Sequence, residues 1–225
     1  MLKNKLEADS ILYQVGDRQL LSDIYLSCET GEVVGLLGRN GCGKTTLLQI
    51  IFGTKPTVHK HIRMNGQVYP EPYKHQHLIA YLPQQHFLPN NIRISRIIDL
   101  YLLTPDKRHH VKEDERLQKH LNKHADELSK GELRYLELLL LLQLDAKFLL
   151  LDEPFSGVEP LYVEHIEELL QAHLGTKGFI ITDHDYRSVL RASTRIILLT
   201  DGFCRPITHE QELLRWGYVP ADAFS

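Results

Sequence analysis

The chain has 225 residues, with 26 Lys and Arg against 29 Asp and Glu, a formal net charge of −3. Hydrophobic residues make up 43% and charged residues 24%, an ordinary globular composition that argues against a disordered chain, a collagen or a coiled-coil rod. The near-balanced charge supplies no whole-chain attraction to nucleic acid or an anionic membrane, and three cysteines (Cys28, Cys42, Cys204) are too few for a disulfide framework.

The N-terminus, MLKNKLEADS, lacks the apolar core of a signal peptide. The most apolar run, residues 136–144, contains Glu137 and Gln143 and is far short of the roughly 18 residues that span a bilayer. The chain is therefore expected not to cross a membrane, and its cysteine usage fits a reducing compartment.

In chain order, residues 11–38 contain three predicted strands: ILYQV, QLLSDIYLSC and EVVGLLG. Residues 33–37 are apolar at nearly every position, the pattern of a strand buried on both faces of a parallel sheet. A glycine-rich loop follows at 38–43, then a helix over 45–52 stopped by Gly53. Residues 54–78 are polar and turn-rich, and 78–83 form another short buried strand. Residues 91–127 are rich in Arg, Lys and His, with Ile94, Ile97, Ile98, Tyr101 and Leu102 at helical spacing. After Leu128 a helix is predicted through Leu144, then a strand at 148–151, a helix at 160–174, a strand at 179–182, a helix at 186–192 and a strand at 196–199. Strands alternating with helices predict an α/β fold with a largely parallel sheet, here as one domain over 1–225 with a helical subdomain at about 87–135.

Three motifs carry chemistry. Gly38-Arg39-Asn40-Gly41-Cys42-Gly43-Lys44-Thr45 matches G-x-x-x-x-G-K-[ST], after an apolar strand and before a helix. Glycines let backbone N–H groups curl around phosphate oxygens. The helix N-terminus, where Thr46 follows, adds partial positive charge. Lys44 reaches the terminal phosphates and Thr45 ligates Mg2+. The second motif is the apolar run 148–151 ending in Asp152 and Glu153. Asp152 emerges where ligands bind in open α/β sheets and would sit near Mg2+ through a water, with Glu153 placed to polarise an attacking water. The third is Leu128-Ser129-Lys130-Gly131-Glu132, which on its own is also a helix capping box.

Together these motifs resemble those of ABC-type ATPases, with residues 128–132 a degenerate form of the Leu-Ser-Gly-Gly-Gln signature. Tyr81-Leu-Pro-Gln84 looks like the family's glutamine loop, Ser156-Gly-Val-Glu159 like its D-loop and Ile181-Thr-Asp-His184 like its switch histidine. The resemblance covers about residues 8–205. It implies a P-loop NTPase core with an N-terminal antiparallel β subdomain and a small helical subdomain. It implies that ATP is the nucleotide, that Gln84 joins Thr45 and Asp152 near Mg2+, that Glu153 is the general base and that His184 contacts the γ-phosphate. It further implies that Ser129, Lys130, Gly131 and Glu132 meet the ATP of a second nucleotide-binding domain, in a head-to-tail homodimer or heterodimer. Separate membrane transporter subunits are the implied partners, with the chain cytoplasmic and peripheral on the inner face of the cell membrane and no nucleic acid bound. The competing readings are a soluble ABC-type ATPase acting on ribosomes or DNA, and another P-loop enzyme such as a small-molecule kinase.

The chain departs from the family at several points. The adenine-stacking aromatic aligns with Val15, while Tyr13 lies two residues earlier on the same strand face; either is a candidate for base contact. Lys130 replaces a glycine and points either to the partner's γ-phosphate or to solvent. Cys42 is either a small residue tolerated in the loop or a thiol whose pKa the loop and Lys44 depress. His120 and His124, at i and i+4, would share a helical face as surface residues. Residues 37–41 resemble branched-chain amino-acid import ATPases, whereas 155–160 with 182–184 look more like the lipopolysaccharide-export ATPase, so import and export both stay open.

Overall fold

A computed structural model describes residues 3–75, 77–220 and 223. Two sheets dominate. The first contains β1 (Lys5–Val15), β2 (Arg18–Glu29), β4 (His59–Met64) and β5 (Gln67–Val68) in the order β2-β1-β4-β5, all antiparallel. Strand β1 begins well before ILYQV, because Leu6 and Ala8 are buried between polar neighbours. The β4–β5 pair falls in the stretch read as polar and turn-rich. Only Ile62 and Met64 of β4 face the core, too short an apolar alternation to register in the sequence.

The second sheet contains β3 (Val33–Leu37), β6 (Ile79–Leu82), β7 (Phe148–Asp152), β8 (Gly178–Thr182), β9 (Arg195–Thr200) and β10 (Phe203–Ile207), ordered β10-β9-β3-β8-β7-β6. Its neighbours are parallel except β10 on β9. Every residue of β3, β7 and β8 is buried, as their unbroken apolar runs require. Successive side chains alternate between two cores. Val34, Leu36, Leu150 and Ile180 pack toward α1 (Lys44–Phe52) and the antiparallel sheet. Val33, Leu149, Leu151, Phe179 and Ile181 pack toward α2 (Ile94–Tyr101), α3 (Pro105–Lys112), α4 (Lys130–Leu142) and α5 (Pro160–His173). Leu37 and Leu198 join a third cluster with α6 (Tyr186–Ala192) and α7 (Gln211–Arg215).

The middle segment holds α2, α3 and single 3₁₀ turns at Gln118–His120 and Ala125–Glu127. Ile94, Ile97, Ile98 and Leu102 are buried, but Tyr101 is exposed, so the predicted apolar stripe is one residue narrower than its spacing implied. His120 and His124 share no helical face. They sit on separate turns, with His120 buried and His124 exposed. Among the described residues no helix is long and apolar enough to cross a membrane.

Candidate functional site

Because β3, β6, β7 and β8 run parallel, the loops after their carboxyl ends gather along one edge of the sheet, where open α/β sheets bind ligands. The loop 38–43 leaves β3 there. Gly43, the N-cap of α1, has φ 110°, and a Cβ on it would lie 3.1 Å from both Leu20 and Leu21; only glycine serves. Lys44 is buried, and its Nζ donates to the carbonyls of Gly38 at 2.6 Å and Arg39 at 3.4 Å, so the loop encloses the ammonium. Asn40 and Gly41 are exposed at the loop tip, as is Arg39, whose Nη2 donates to the Gly217 carbonyl at 2.7 Å. Cys42 is tucked behind the loop, and burial pushes its thiol pKa up, outweighing Lys44. A thiol depressed by the loop is thereby overturned.

Thr45 and Thr46 open the first turn of α1, half-buried. Thr45 Oγ1 donates to Asp152 Oδ1 at 3.1 Å. That carboxylate, 1% exposed at the end of β7, also accepts the Thr182 hydroxyl on Oδ1 at 2.8 Å and the Tyr81 hydroxyl on Oδ2 at 2.9 Å. A hydroxyl and a carboxylate converging beside a phosphate-type loop are hard oxygen donors of the kind Mg2+ takes. Gln84, the third residue expected near the metal, reaches the neighbouring carboxylate of Glu153.

Glu153 lies one residue beyond β7, with φ 54°, a left-handed backbone that costs a side-chain-bearing residue about 1–3 kcal/mol. Its N–H donates to the Thr182 carbonyl at 2.8 Å. The turn aims its carboxylate between two exposed side chains: His184 Nε2 lies 2.6 Å from Oε1, and Gln84 Nε2 donates to Oε2 at 2.7 Å. Three separate loops therefore meet at one carboxylate. Asp183, quoted in a motif but given no role from sequence, ties two of them together. Its Oδ1 accepts from the N–H groups of His184 and Asp185 at 2.7 and 3.1 Å, and its Oδ2 from that of Phe155 at 2.8 Å. Burial raises its pKa.

Residues 129–132 gather elsewhere, at the start of α4. Ser129 Oγ accepts the Glu132 N–H at 3.2 Å, and Glu132 Oε2 accepts the Ser129 N–H at 2.8 Å, a complete capping box. The other oxygen of Glu132 lies 2.9 Å from Nε2 of buried His120. Glu132 is thus turned back on its own helix. Gly131 is buried, and a Cβ there would collide with the Glu159 carboxylate and lie 3.0 Å from the Tyr162 ring. Ser129 and Lys130 are exposed, and Lys130 Cδ lies within van der Waals reach of where a Gly157 Cβ would sit. At the end of β1, Val15 is 55% exposed, whereas Tyr13 is half-buried with Lys55 Nζ 5.3 Å from its ring centre.

Comparison with known proteins bears on most of the chain. The profile of the family described as ABC transporter matches residues 21–156. A probable ABC transporter ATP-binding protein of Azorhizobium caulinodans is 33% identical over 213 residues, 89% of this chain and 75% of that protein. The lipopolysaccharide export system ATP-binding protein LptB of Haemophilus influenzae is 32% identical over 212 residues, 88% of this chain and 87% of that protein. A nucleotide-free ATP-binding cassette from an ABC transporter superposes with a TM-score of 0.81 at 20% identity, covering 96% of each chain.

Proposed function

The chain belongs to the ABC transporter family, and from that premise we propose that it is the ATP-binding and ATP-hydrolysing subunit of a transporter whose membrane subunits are separate chains. The observation that carries the reading is the meeting of Gln84, Glu153 and His184 beside Lys44, Thr45 and Asp152 at one sheet edge.

Loop residues 38–43, Lys44, Thr45 and Thr46 bind the phosphates through backbone N–H groups, the helix N-terminus and the Lys44 ammonium. Thr45 and, through a water, Asp152 would hold Mg2+, which offsets the charge of the phosphate oxygens when bound. Glu153 orients a water and accepts its proton as the water oxygen bonds to the γ-phosphorus. The bond from that phosphorus to the leaving ADP oxygen breaks, giving ADP and phosphate. Gln84 and His184 hold both carboxylate oxygens of Glu153 in this structure, so an arriving water and γ-phosphate exchange places with them. His184 then turns to the γ-phosphate.

Ser129 and Lys130, exposed at the start of α4, meet the nucleotide of a second such domain in a head-to-tail dimer, while Gly131 and Glu132 shape the turn behind them. Val15 is open to apolar contact with the base; the Tyr13 ring already carries Lys55. The membrane partners place the chain on the cytoplasmic face. The transport role draws support from the relatives named as ABC transporter and lipopolysaccharide-export ATP-binding proteins.

Phosphate release from ATP by the purified chain, with no acceptor substrate, tests the reaction against a kinase. Lys44→Ala should lose nucleotide affinity, and unchanged affinity refutes the loop's role. Co-purification with membrane proteins supports the transport partner; co-purification with ribosomes or DNA contradicts it.

A further inference from the structure

Helix α4 carries two buried ionic side chains within an otherwise apolar stretch. Arg134 is 3% exposed and Glu137 0%, with Arg134 Nη1 3.1 Å from Glu137 Oε2. Burial pushes the Arg134 pKa down even against that neighbour. Such a pair is a poor stabilising device, because desolvating two ions offsets most of their attraction and well-packed apolar residues of similar volume often serve as well or better.

The pair is instead spent on a loop. Arg134 Nη1 donates to the Pro83 carbonyl at 2.8 Å and Nη2 to the Gln84 carbonyl at 2.6 Å. Glu137 Oε1 accepts the Phe87 N–H at 2.8 Å, and Oε2 lies 3.0 Å from His86 Nδ1. Both ends of segment 83–87 are therefore pinned to one face of α4, although Gln84, Gln85 and His86 are themselves exposed. The side chain of Gln84 reaches from this pinned backbone to Glu153.

We propose that Arg134 and Glu137 are positioning residues for ATP hydrolysis, holding the 83–87 backbone so that Gln84 engages Glu153; this rests on reading Glu153 as the water-activating carboxylate. Because α4 starts at the Ser129 cap, the same pair makes the Ser129 turn and the Gln84 loop one mechanical unit.

The test is the full-length double variant Arg134→Met with Glu137→Leu, which removes the clamp without stranding a buried charge. Its melting temperature and its KM for ATP should stay near those of the wild type while kcat falls about tenfold or more, since small misplacements of a catalytic assembly are costly. A purely structural role would move the melting temperature instead. A folded double variant with wild-type kcat overturns the proposal. Should the double variant not fold, Arg134→Lys decides, because one ammonium cannot match a guanidinium that bridges two carbonyls and a carboxylate: a lowered kcat at unchanged KM supports the clamp, and an unchanged kcat overturns it. Glu153→Gln runs alongside. If that variant is inactive while the double variant is fully active, only the positioning role falls. If Glu153→Gln hydrolyses ATP normally, the reading beneath it falls as well.

Discussion

Replacing Tyr81 with phenylalanine removes one oxygen and leaves the rest of the site in place. The Tyr81 hydroxyl donates to Asp152 Oδ2 at 2.9 Å, and that carboxylate is 1% exposed. A hydrogen bond to a charged group contributes about 1.5–3 kcal/mol, and a buried acceptor left without its donor bears the cost in full. The other oxygen keeps its bonds to Thr45 and Thr182. A phenylalanine ring would keep the packing against Phe52, whose centroid is 5.4 Å away. Only the polar part is lost, so the expected cost is about 1.5–2 kcal/mol, at the lower end of that range. For a domain of this size that is a fall of roughly 3–8 °C in melting temperature. Urea denaturation and calorimetry measure it. Tyr25→Phe is the control, since Tyr25 is exposed and its hydroxyl meets the surface pair of Glu7, at 3.2 Å, and Lys5; there the change should stay within about 0.5 kcal/mol. If Tyr81→Phe costs no more than Tyr25→Phe, the claim that Asp152 depends on this hydroxyl is wrong.

Two further outcomes are expected. Lys177 is buried and donates to the carbonyls of Leu144 and Ala146, each at 2.7 Å, and burial pushes its pKa from 10.5 down to about 8. The unfolded chain then binds more protons than the folded one between those two values, so stability should rise with pH through that window. Below about pH 8 the cost of burying the cation is fully present. Denaturation of wild type and Lys177→Met across the window should show the wild type gaining; a pH-independent difference contradicts the assignment. Lys130→Gly, which restores the glycine of the ABC signature motif, should raise the ATP turnover rate, and an unchanged or slower rate sinks the idea that this lysine limits the dimer.

Much of this was legible in the sequence because the signals are local. Residues 33–37, 148–151 and 179–182 are largely apolar runs of the kind a doubly covered strand shows, and the motifs at 38–45 and 152–153 sit at the ends of the first two. The signature at 128–132 was legible as a capping box and proved to be one, with Glu132 bonding its own helix. What escaped was non-local or weakly patterned. Strand β4 presents His59, Lys60, His61 and Arg63 to view, which hides its two inward residues. Arg134 and Glu137 lie in a leucine-rich helix, and nothing in their spacing beyond an i,i+3 ion pair points to carbonyls about fifty residues away. His120 looked like a surface histidine because its partner, Glu132, comes from another element. Asp183 was visible only as the middle of Thr-Asp-His, and its role depends on the Phe155 N–H that the fold brings to it.

The account turns on Glu153 as the group that takes the proton from water. Glu153→Gln is the direct measurement, since the amide keeps the size of the side chain and the same backbone strain while losing the basic oxygen. ATP binding by the purified variant should match the wild type, while phosphate release should fall by a factor of about 10² to 10⁴. Hydrolysis at the wild-type rate, with binding intact, would contradict the central claim.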